Sequence, residues 1–196
     1  MSTRDRILDA AASVLRERGI ARATTKEIAR AAGCSEALLY KHFADKQELF
    51  LGVLSERAPR LDAPADLVGR ATVVENVTTL VGQLLAFYAR SFPMAASILG
   101  APELLVAHRE GVGRRGAGPQ GPALQVQAYL DAEARDGRLD PGVDTEAVAR
   151  TLAGAALFEA FLAVYAGRDA VPGAAARARG IVGAVRLDAP AAGPTA

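Results

Sequence analysis

The residues with the clearest capacity for chemistry lie close together near the N-terminus. All three lysines of the chain, Lys26, Lys41 and Lys46, fall within one window of 21 residues. A lysine ammonium group can hold a phosphate or donate a hydrogen bond to a base edge. The cluster therefore indicates a local binding task, and chance clustering in an arginine-rich sequence is the alternative.

Few residues are available for catalysis or metal binding. The chain has one cysteine, Cys34, and two histidines, His42 and His108. A single cysteine excludes a disulfide framework and a cysteine-based zinc site, and the C-terminal half has no paired carboxylates at metal or acid–base spacing. We therefore expect no enzyme activity, no cofactor and no metal site. Cys34 is interpreted as a small core residue, with a redox sensor as the alternative, and His108 as a surface or rim residue.

The spacing around the lysines predicts two short helices joined by a tight turn. A capping box that begins at Thr24 starts a helix over 25–32, and Ser35 caps another over 36–42. Gly33 lies between them, where the backbone needs a positive φ. A turn of three to four residues is the length that a helix-turn-helix motif requires.

Two further helices complete a compact N-terminal unit. Residues 4–18 place apolar side chains on one face, and Gly19 is expected to end that helix. A second capping box, from Asp45 to Glu48, starts a helix that runs to about residue 57.

This N-terminal pattern resembles the TetR family of transcriptional regulators. The matching elements are Ile-Leu-x-Ala-Ala in the first helix, the Gly-Ile-x-x-Ala-Thr-Thr-x-x-Ile-Ala approach, Gly33, Leu-Tyr-x-His-Phe, and Lys46-x-x-Leu49-Phe50. The resemblance implies an all-α, dimeric protein whose C-terminal domain binds a small effector. The expected domains are an N-terminal helix-turn-helix domain over 1–57, an effector-binding and dimerisation domain over 58–187, and a disordered tail over 188–196.

The resemblance and the chemistry of the side chains together predict the DNA contacts. Helix 36–42 would be the recognition helix in the major groove. The predicted DNA-binding residues are Thr24, Thr25, Lys26, Ser35, Glu36, Ala37, Tyr40, Lys41, His42 and Lys46. Base reading is assigned to Ser35, Glu36, Ala37 and Lys41, whereas the resemblance places Tyr40 and His42 largely on phosphates. Glu36 is expected to accept a hydrogen bond from a cytosine amino group, with a solvated first-turn carboxylate as the alternative.

The C-terminal half is predicted to be helical throughout. Residues 66–91 read as one long helix that Pro93 ends, and the glycine-rich stretch 111–122 as a mobile loop. The other expected helices cover 94–99, 102–111, 123–136, 144–166 and 173–187.

Helix 144–166 predicts a dimer interface. Its segment Leu152–Ala166 is apolar on all sides and carries one charge, Glu159. Such a helix must be buried on more than one face, so we expect a four-helix interface formed with helix 173–187 of each subunit. The predicted interface residues are Ala153, Ala156, Ala178, Ile181 and Val185. The length of the segment and the charge of Glu159 argue against a membrane-spanning role.

An effector pocket is implied by the resemblance. The predicted lining residues are Phe87, Tyr88, Phe92, Met94, Leu105, Phe158, Glu159 and Phe161, with ordinary core as the alternative for each aromatic or aliphatic side chain. These residues favour an apolar, aromatic-containing effector, and Glu159 would orient a polar or cationic group on it.

Composition agrees with a helical regulator in the cytoplasm. The net charge is +1, hydrophobic residues make up 51%, and the N-terminus has no apolar signal segment. We therefore predict a DNA-binding repressor that a small molecule releases from its operator. The alternatives are an activator, an effector-blind DNA-binding protein, and a helical enzyme with an appended DNA-binding domain.

Overall fold

A computed structural model of the chain describes residues 1–57, 61, 64–115, 118–185 and 187. Over these residues the chain is all-α and contains no strand. Its contacts divide it into two compact units, Met1–Pro59 with Ser91–Gly118 and Arg60–Arg90 with Pro119–Ala196. The predicted disordered tail, 188–196, lies outside the described residues.

The first unit is built around four helices near the N-terminus, α1 (Thr3–Arg22), α2 (Thr25–Ala31), α3 (Glu36–His42) and α4 (Lys46–Glu56). Each begins at a side-chain cap, provided in chain order by Ser2, Thr24, Ser35 and Asp45. Their apolar faces enclose a core that includes Ile7, Leu8, Ile28, Leu39, Phe43, Leu49 and Phe50.

The predicted end of the first helix at Gly19 is only partly correct. Gly19 has a φ of 70°, so it interrupts the helical backbone, but helical hydrogen bonding resumes beyond it and continues to Arg22. Glycine tolerates this conformation because it has no Cβ.

Charged side chains join the start of α1 to the end of α4. The Arg4 guanidinium donates two hydrogen bonds of 2.7 Å to the Glu56 carboxylate. Arg57 donates to Asp5 at 2.8 Å and to Asp9 at 2.6 Å. Hydrogen bonds from Ser2 and Arg57 lower the pKa of Asp5 to about 2. Because these groups are partly exposed, each pair alone contributes little to stability, and together they fix how α1 meets α4.

The second unit contains most of α5 (Val73–Leu99) together with α7 (Gly121–Arg135), α8 (Thr145–Tyr165) and α9 (Ala174–Gly183). Its core includes Val77, Leu80, Val81, Leu84, Leu85, Val126, Tyr129, Leu130, Leu152 and Ala156. The end of α5 and all of α6 (Pro102–Arg115) group with the first unit.

Three sequence-based predictions about this half need correction. Pro93 lies inside α5 and does not end it. A proline removes one helix hydrogen bond, but the turns on either side bury Ala89 and Ile98, and this burial offsets the loss. The predicted helix start at 66 is instead a 3-10 helix, Pro64–Leu67, followed by a turn. The predicted loop 111–122 contains the last turn of α6 and the start of α7.

The compact units also divide the chain differently from the expected boundary at residue 57. Residues 91–118 group with the N-terminal unit because Ile98 belongs to its buried core. Met94, Leu104 and Leu105 pack against that same core.

The turn after the 3-10 helix is fastened by buried polar groups. The Asn76 amide donates to the Leu67 carbonyl at 2.9 Å, and the Gly69 N–H donates to Glu133 Oε1 at 3.2 Å. Arg138 donates to the Ala71 carbonyl and lies 3.3 Å from Glu133 Oε2. Glu133 is fully buried. This arrangement holds the turn against α7.

Candidate functional site

The turn between α2 and α3 is defined by backbone hydrogen bonds. The Gly33 N–H donates to the Arg30 carbonyl at 3.1 Å, and the Cys34 N–H donates to the Ala29 carbonyl at 3.0 Å. Gly33 has a φ of 64°, with nothing within 4 Å of the position of a Cβ. Its requirement for glycine is therefore conformational and not a matter of space, as the sequence predicts.

Helix α3 presents a polar face and buries an apolar one. Leu39 is completely buried, and Phe43 at the end of the helix is 1% exposed. The predicted base-reading residues Ser35, Glu36, Ala37 and Lys41 are all exposed, as is Tyr40, and His42 is half-buried. The Ser35 hydroxyl also accepts a hydrogen bond from the Leu38 N–H at 3.1 Å, so it is shared with the helix cap.

The residues at the start of α2 differ in their exposure and in the hydrogen bonds that their side chains make. Lys26 is exposed. Thr24 is exposed too, but its hydroxyl is engaged with Glu27 in the capping box. Thr25 is only 9% exposed, and its hydroxyl donates to Glu36 Oε1 at 2.5 Å. The hydroxyl of Thr25, a predicted DNA-binding residue, is therefore directed toward α3.

Lys46 stands at the start of α4, partly buried. Its ammonium nitrogen lies 5.2 Å from the centroid of the Phe50 ring, a distance at which a cation–π contact forms. Asp45 caps the helix by accepting from the Glu48 N–H at 2.7 Å. These contacts hold the stem of Lys46 near the start of the helix.

The alanines of α8 and α9 that were predicted to form the dimer interface are buried, whereas the other side of α8 is exposed. Ala153, Ala156 and Ala178 are buried within their own unit, because α8 turns its alanine side toward α7 and α9. They are therefore unavailable to a partner, and Ile181 and Val185 are only partly buried. The opposite side of α8, named here the α8 apolar face, exposes Leu157, Phe158, Phe161, Leu162 and Tyr165.

The predicted effector-lining residues are distributed over both units. Phe87 and Tyr88 pack against the core of the second unit, with ring centroids 5.1 Å apart. Met94 and Leu105 pack against the core of the first unit, and Phe92 is half-buried. Phe158 is 58% exposed and belongs, with Phe161, to the α8 apolar face.

Two of the charged or titratable side chains predicted in this half have clear surroundings. Glu159 accepts a hydrogen bond of 3.0 Å from Arg177, which joins α8 to α9. Its charge is therefore already compensated without an effector. His108 is half-buried, and burial lowers its pKa.

The length argument against a membrane span does not hold for α8. This helix has 21 residues and is apolar enough to cross a membrane by length and composition. Its buried alanine side and the Glu159–Arg177 pair are features of a core helix in a folded unit. Within the described residues, no three His, Cys, Asp or Glu side chains form a group able to hold a metal ion.

Sequence reasoning missed two sets of residues. The turn-fastening residues Asn76, Glu133 and Arg138 are far apart in sequence and form no local motif. Sequence could not predict the exposure of Leu157, Leu162 and Tyr165, because a helix that is apolar on all sides does not indicate which side faces its own core.

The turn at Gly33 and the exposed polar face of α3 together form a helix-turn-helix motif. The sequence profile described as "Bacterial regulatory proteins, tetR family" matches residues 7–53. This segment therefore resembles the N-terminal region of TetR-family regulators, and the chain shares the fold of solved TetR-family proteins.

Known proteins resemble part of the chain in sequence and nearly its whole length in fold. The HTH-type transcriptional regulator YvkB of Bacillus subtilis is 45% identical over 56 residues, which is 29% of this chain and 30% of that protein. A TetR-family regulator from Mesorhizobium loti shares the fold with a TM-score of 0.77 and 20% identity, covering 93% of this chain and 94% of that one. FadR from Bacillus subtilis, solved in complex with stearoyl-CoA, shares the fold with a TM-score of 0.66 and 17% identity. The match covers 91% of this chain and 95% of that one. The chain thus matches less than a third of the length of YvkB.

Proposed function

We propose that the protein is a homodimeric, cytoplasmic transcriptional repressor that a small-molecule effector releases from operator DNA. The observation that carries this proposal is the exposed polar face of α3. The buried side chains of Leu39 and Phe43 anchor this helix, which follows the turn at Gly33. A recognition helix fixed in this way can enter the major groove and present Glu36 and Lys41 to base edges. We propose no enzyme activity.

The α8 apolar face supports the proposed dimerisation. Large apolar side chains gathered on one helix are a costly surface to leave in water. A second copy of the chain would cover them through a two-fold interface in which the same face serves both subunits. A dimer also carries two recognition helices, which suits an operator with two half-sites.

Two lysines are expected to contribute differently to DNA binding. Lys46→Ala should weaken specific and non-specific duplexes alike and reduce the salt slope by about one unit, since a phosphate contact releases one counterion. Lys41→Ala should act mainly on the operator, costing about 1–3 kcal/mol if the contact is to guanine. Fluorescence anisotropy at several salt concentrations measures both.

Arg135→Ala is the matched control, because this exposed arginine on α7 binds the carbonyl of Asp131 in its own helix. It should bind both duplexes as the wild type does. If both lysine variants also do so, α3 and α4 do not form the DNA interface.

Effector release is expected to be reciprocal. A saturating effector should weaken operator binding about 5–150-fold, and operator DNA must weaken effector binding by the same factor. Of the predicted lining residues, Phe87 and Tyr88 are half-buried within the second unit, where burial raises the pKa of Tyr88. These two half-buried aromatic side chains favour an effector that is itself apolar. The acyl thioester in the B. subtilis FadR structure makes long-chain acyl compounds a first set to screen.

The screen covers apolar, cationic and acyl compounds and records thermal shift together with operator release. Phe87→Ala should reduce the response while the free protein still binds DNA. A compound that binds the protein tightly and leaves its operator affinity unchanged would contradict effector release. An effector that raises transcription only when the protein is on its promoter would favour the activator alternative.

A further inference from the structure

The hydroxyl of Thr25 connects the first turns of α2 and α3. It donates a hydrogen bond to Glu36 Oε1 at 2.5 Å and accepts one from the Tyr40 hydroxyl at 3.3 Å. Thr25 itself is 9% exposed, whereas Glu36 and Tyr40 lie on the exposed face of α3. A buried hydroxyl therefore holds two side chains of the predicted DNA surface in position.

This contact limits how the Glu36 carboxylate can turn. A solvated first-turn glutamate moves among several rotamers, and ordering it on DNA costs side-chain entropy. The bond from Thr25 removes part of that freedom before DNA arrives. The glutamate uses one oxygen for Thr25, and Oε2 of this exposed residue can still accept a hydrogen bond.

A carboxylate accepts hydrogen bonds and donates none, so it discriminates among bases. In the major groove, cytosine offers an amino donor, whereas guanine offers only acceptors and thymine offers an acceptor and a methyl group. A fixed carboxylate oxygen is attracted to the cytosine amino group and repelled by the acceptors of guanine and thymine. Adenine has an amino donor too, but its N7 acceptor lies beside it.

We propose that Thr25 is a positioning residue that presets Glu36 to select cytosine at one position of each operator half-site. This inference rests on the proposed DNA-binding function and assigns a base class to one position. Thr25 acts through Glu36 and needs no contact with DNA of its own.

Tyr40 can leave this network without disturbing it. While its hydroxyl donates to Thr25 it has no proton for a phosphate, and the distance of 3.3 Å makes this the longer of the two bonds. When the Tyr40 hydroxyl turns to a phosphate, Thr25 no longer accepts a hydrogen bond from it. The Thr25 hydroxyl still donates its hydrogen bond to Glu36. The base-reading carboxylate therefore stays in place during the exchange.

The test is selection of bound DNA from a random duplex library by the 196-residue chain, followed by sequencing. Four variants are compared with the wild type: Glu36→Gln, Thr25→Val, Thr25→Ser, and the double variant Thr25→Val with Glu36→Gln. Valine matches the shape of threonine without the hydroxyl, and serine retains the hydroxyl.

The wild type should select one strongly preferred cytosine per half-site. Glu36→Gln should reduce the preference for cytosine at that position by about tenfold, which is within the range for a good base contact. Thr25→Val should relax the same position and no other, and Thr25→Ser should restore it. The double variant should lose no more preference than Glu36→Gln alone, because both changes remove one interaction.

Thermal unfolding of each variant separates positioning from a structural role. If Thr25→Val weakens binding to all sequences in proportion to lost stability and leaves every base preference intact, Thr25 only joins two helices and the inference is wrong. If the wild type selects an operator in which Glu36→Gln changes no position, the inference also fails while DNA recognition stands. If the wild type selects no sequence, the proposed function itself fails.

Discussion

Replacing Leu162 with aspartate is expected to convert the protein from a dimer to a monomer at micromolar concentration. Leu162 is 43% exposed on the α8 apolar face, where an aspartate would be desolvated against its copy across the two-fold axis. Loss of the second recognition helix should weaken operator binding by about 100-fold or more, since the two half-sites are then bound independently. Sedimentation and operator titration measure the two effects.

Leu124→Asp is the matched control, because Leu124 is 51% exposed on α7 and lies outside this face. It should remain dimeric and bind the operator as the wild type does. A Leu162→Asp protein that stays dimeric would show that the face is not the interface. By contrast, Ala156→Asp would place a charge in the core of the second unit, so it should unfold that unit instead of separating two folded subunits.

Replacing Glu133 with glutamine should lower the free energy of unfolding by about 2–3 kcal/mol. The change leaves Arg138 without its buried counterion and weakens the hold on the turn at Gly69. This value lies below the usual cost of breaking a fully buried pair because the Arg138 side chain is 31% exposed. Urea denaturation of the whole chain measures the loss, and the melting temperature should fall by roughly 4–12 °C.

Glu146→Gln provides the comparison on the surface. Glu146 pairs with Arg150 one turn along α8, and both side chains are more than half exposed. Such a pair contributes about 0–1 kcal/mol, so its loss should be hard to detect. Equal effects of the two substitutions would mean that the Glu133–Arg138 pair does not fasten the turn.

Much of the first unit is predictable from sequence because its signals are local. The caps at Thr24, Ser35 and Asp45 and the glycine at position 33 each act within a few residues, and all occur where expected. The exposed face of α3 follows from the burial of Leu39.

The rest depends on contacts between distant residues. Pro93 normally ends a helix, and here the burial on both sides of it outweighs the lost hydrogen bond. The all-round apolar sequence of α8 cannot show that its alanines face inward and Phe158 outward, since packing against α7 decides this. The sequence predicts Thr25 only as a DNA-binding residue, since its hydrogen bond to Glu36 forms only when α3 is folded beside α2.

Sequence-specific DNA binding is tested most directly by selecting operator DNA from a random duplex library with the 196-residue chain. The selected DNA should contain a two-fold symmetric site whose half-sites lie about 10 base pairs apart, or a multiple of this distance, centre to centre. The selected duplex should bind at least about 1,000-fold more tightly than random duplex at the same salt concentration. Selection that enriches no common sequence, or equal affinity for selected and random duplexes, would contradict the conclusion that this protein is a sequence-specific regulator.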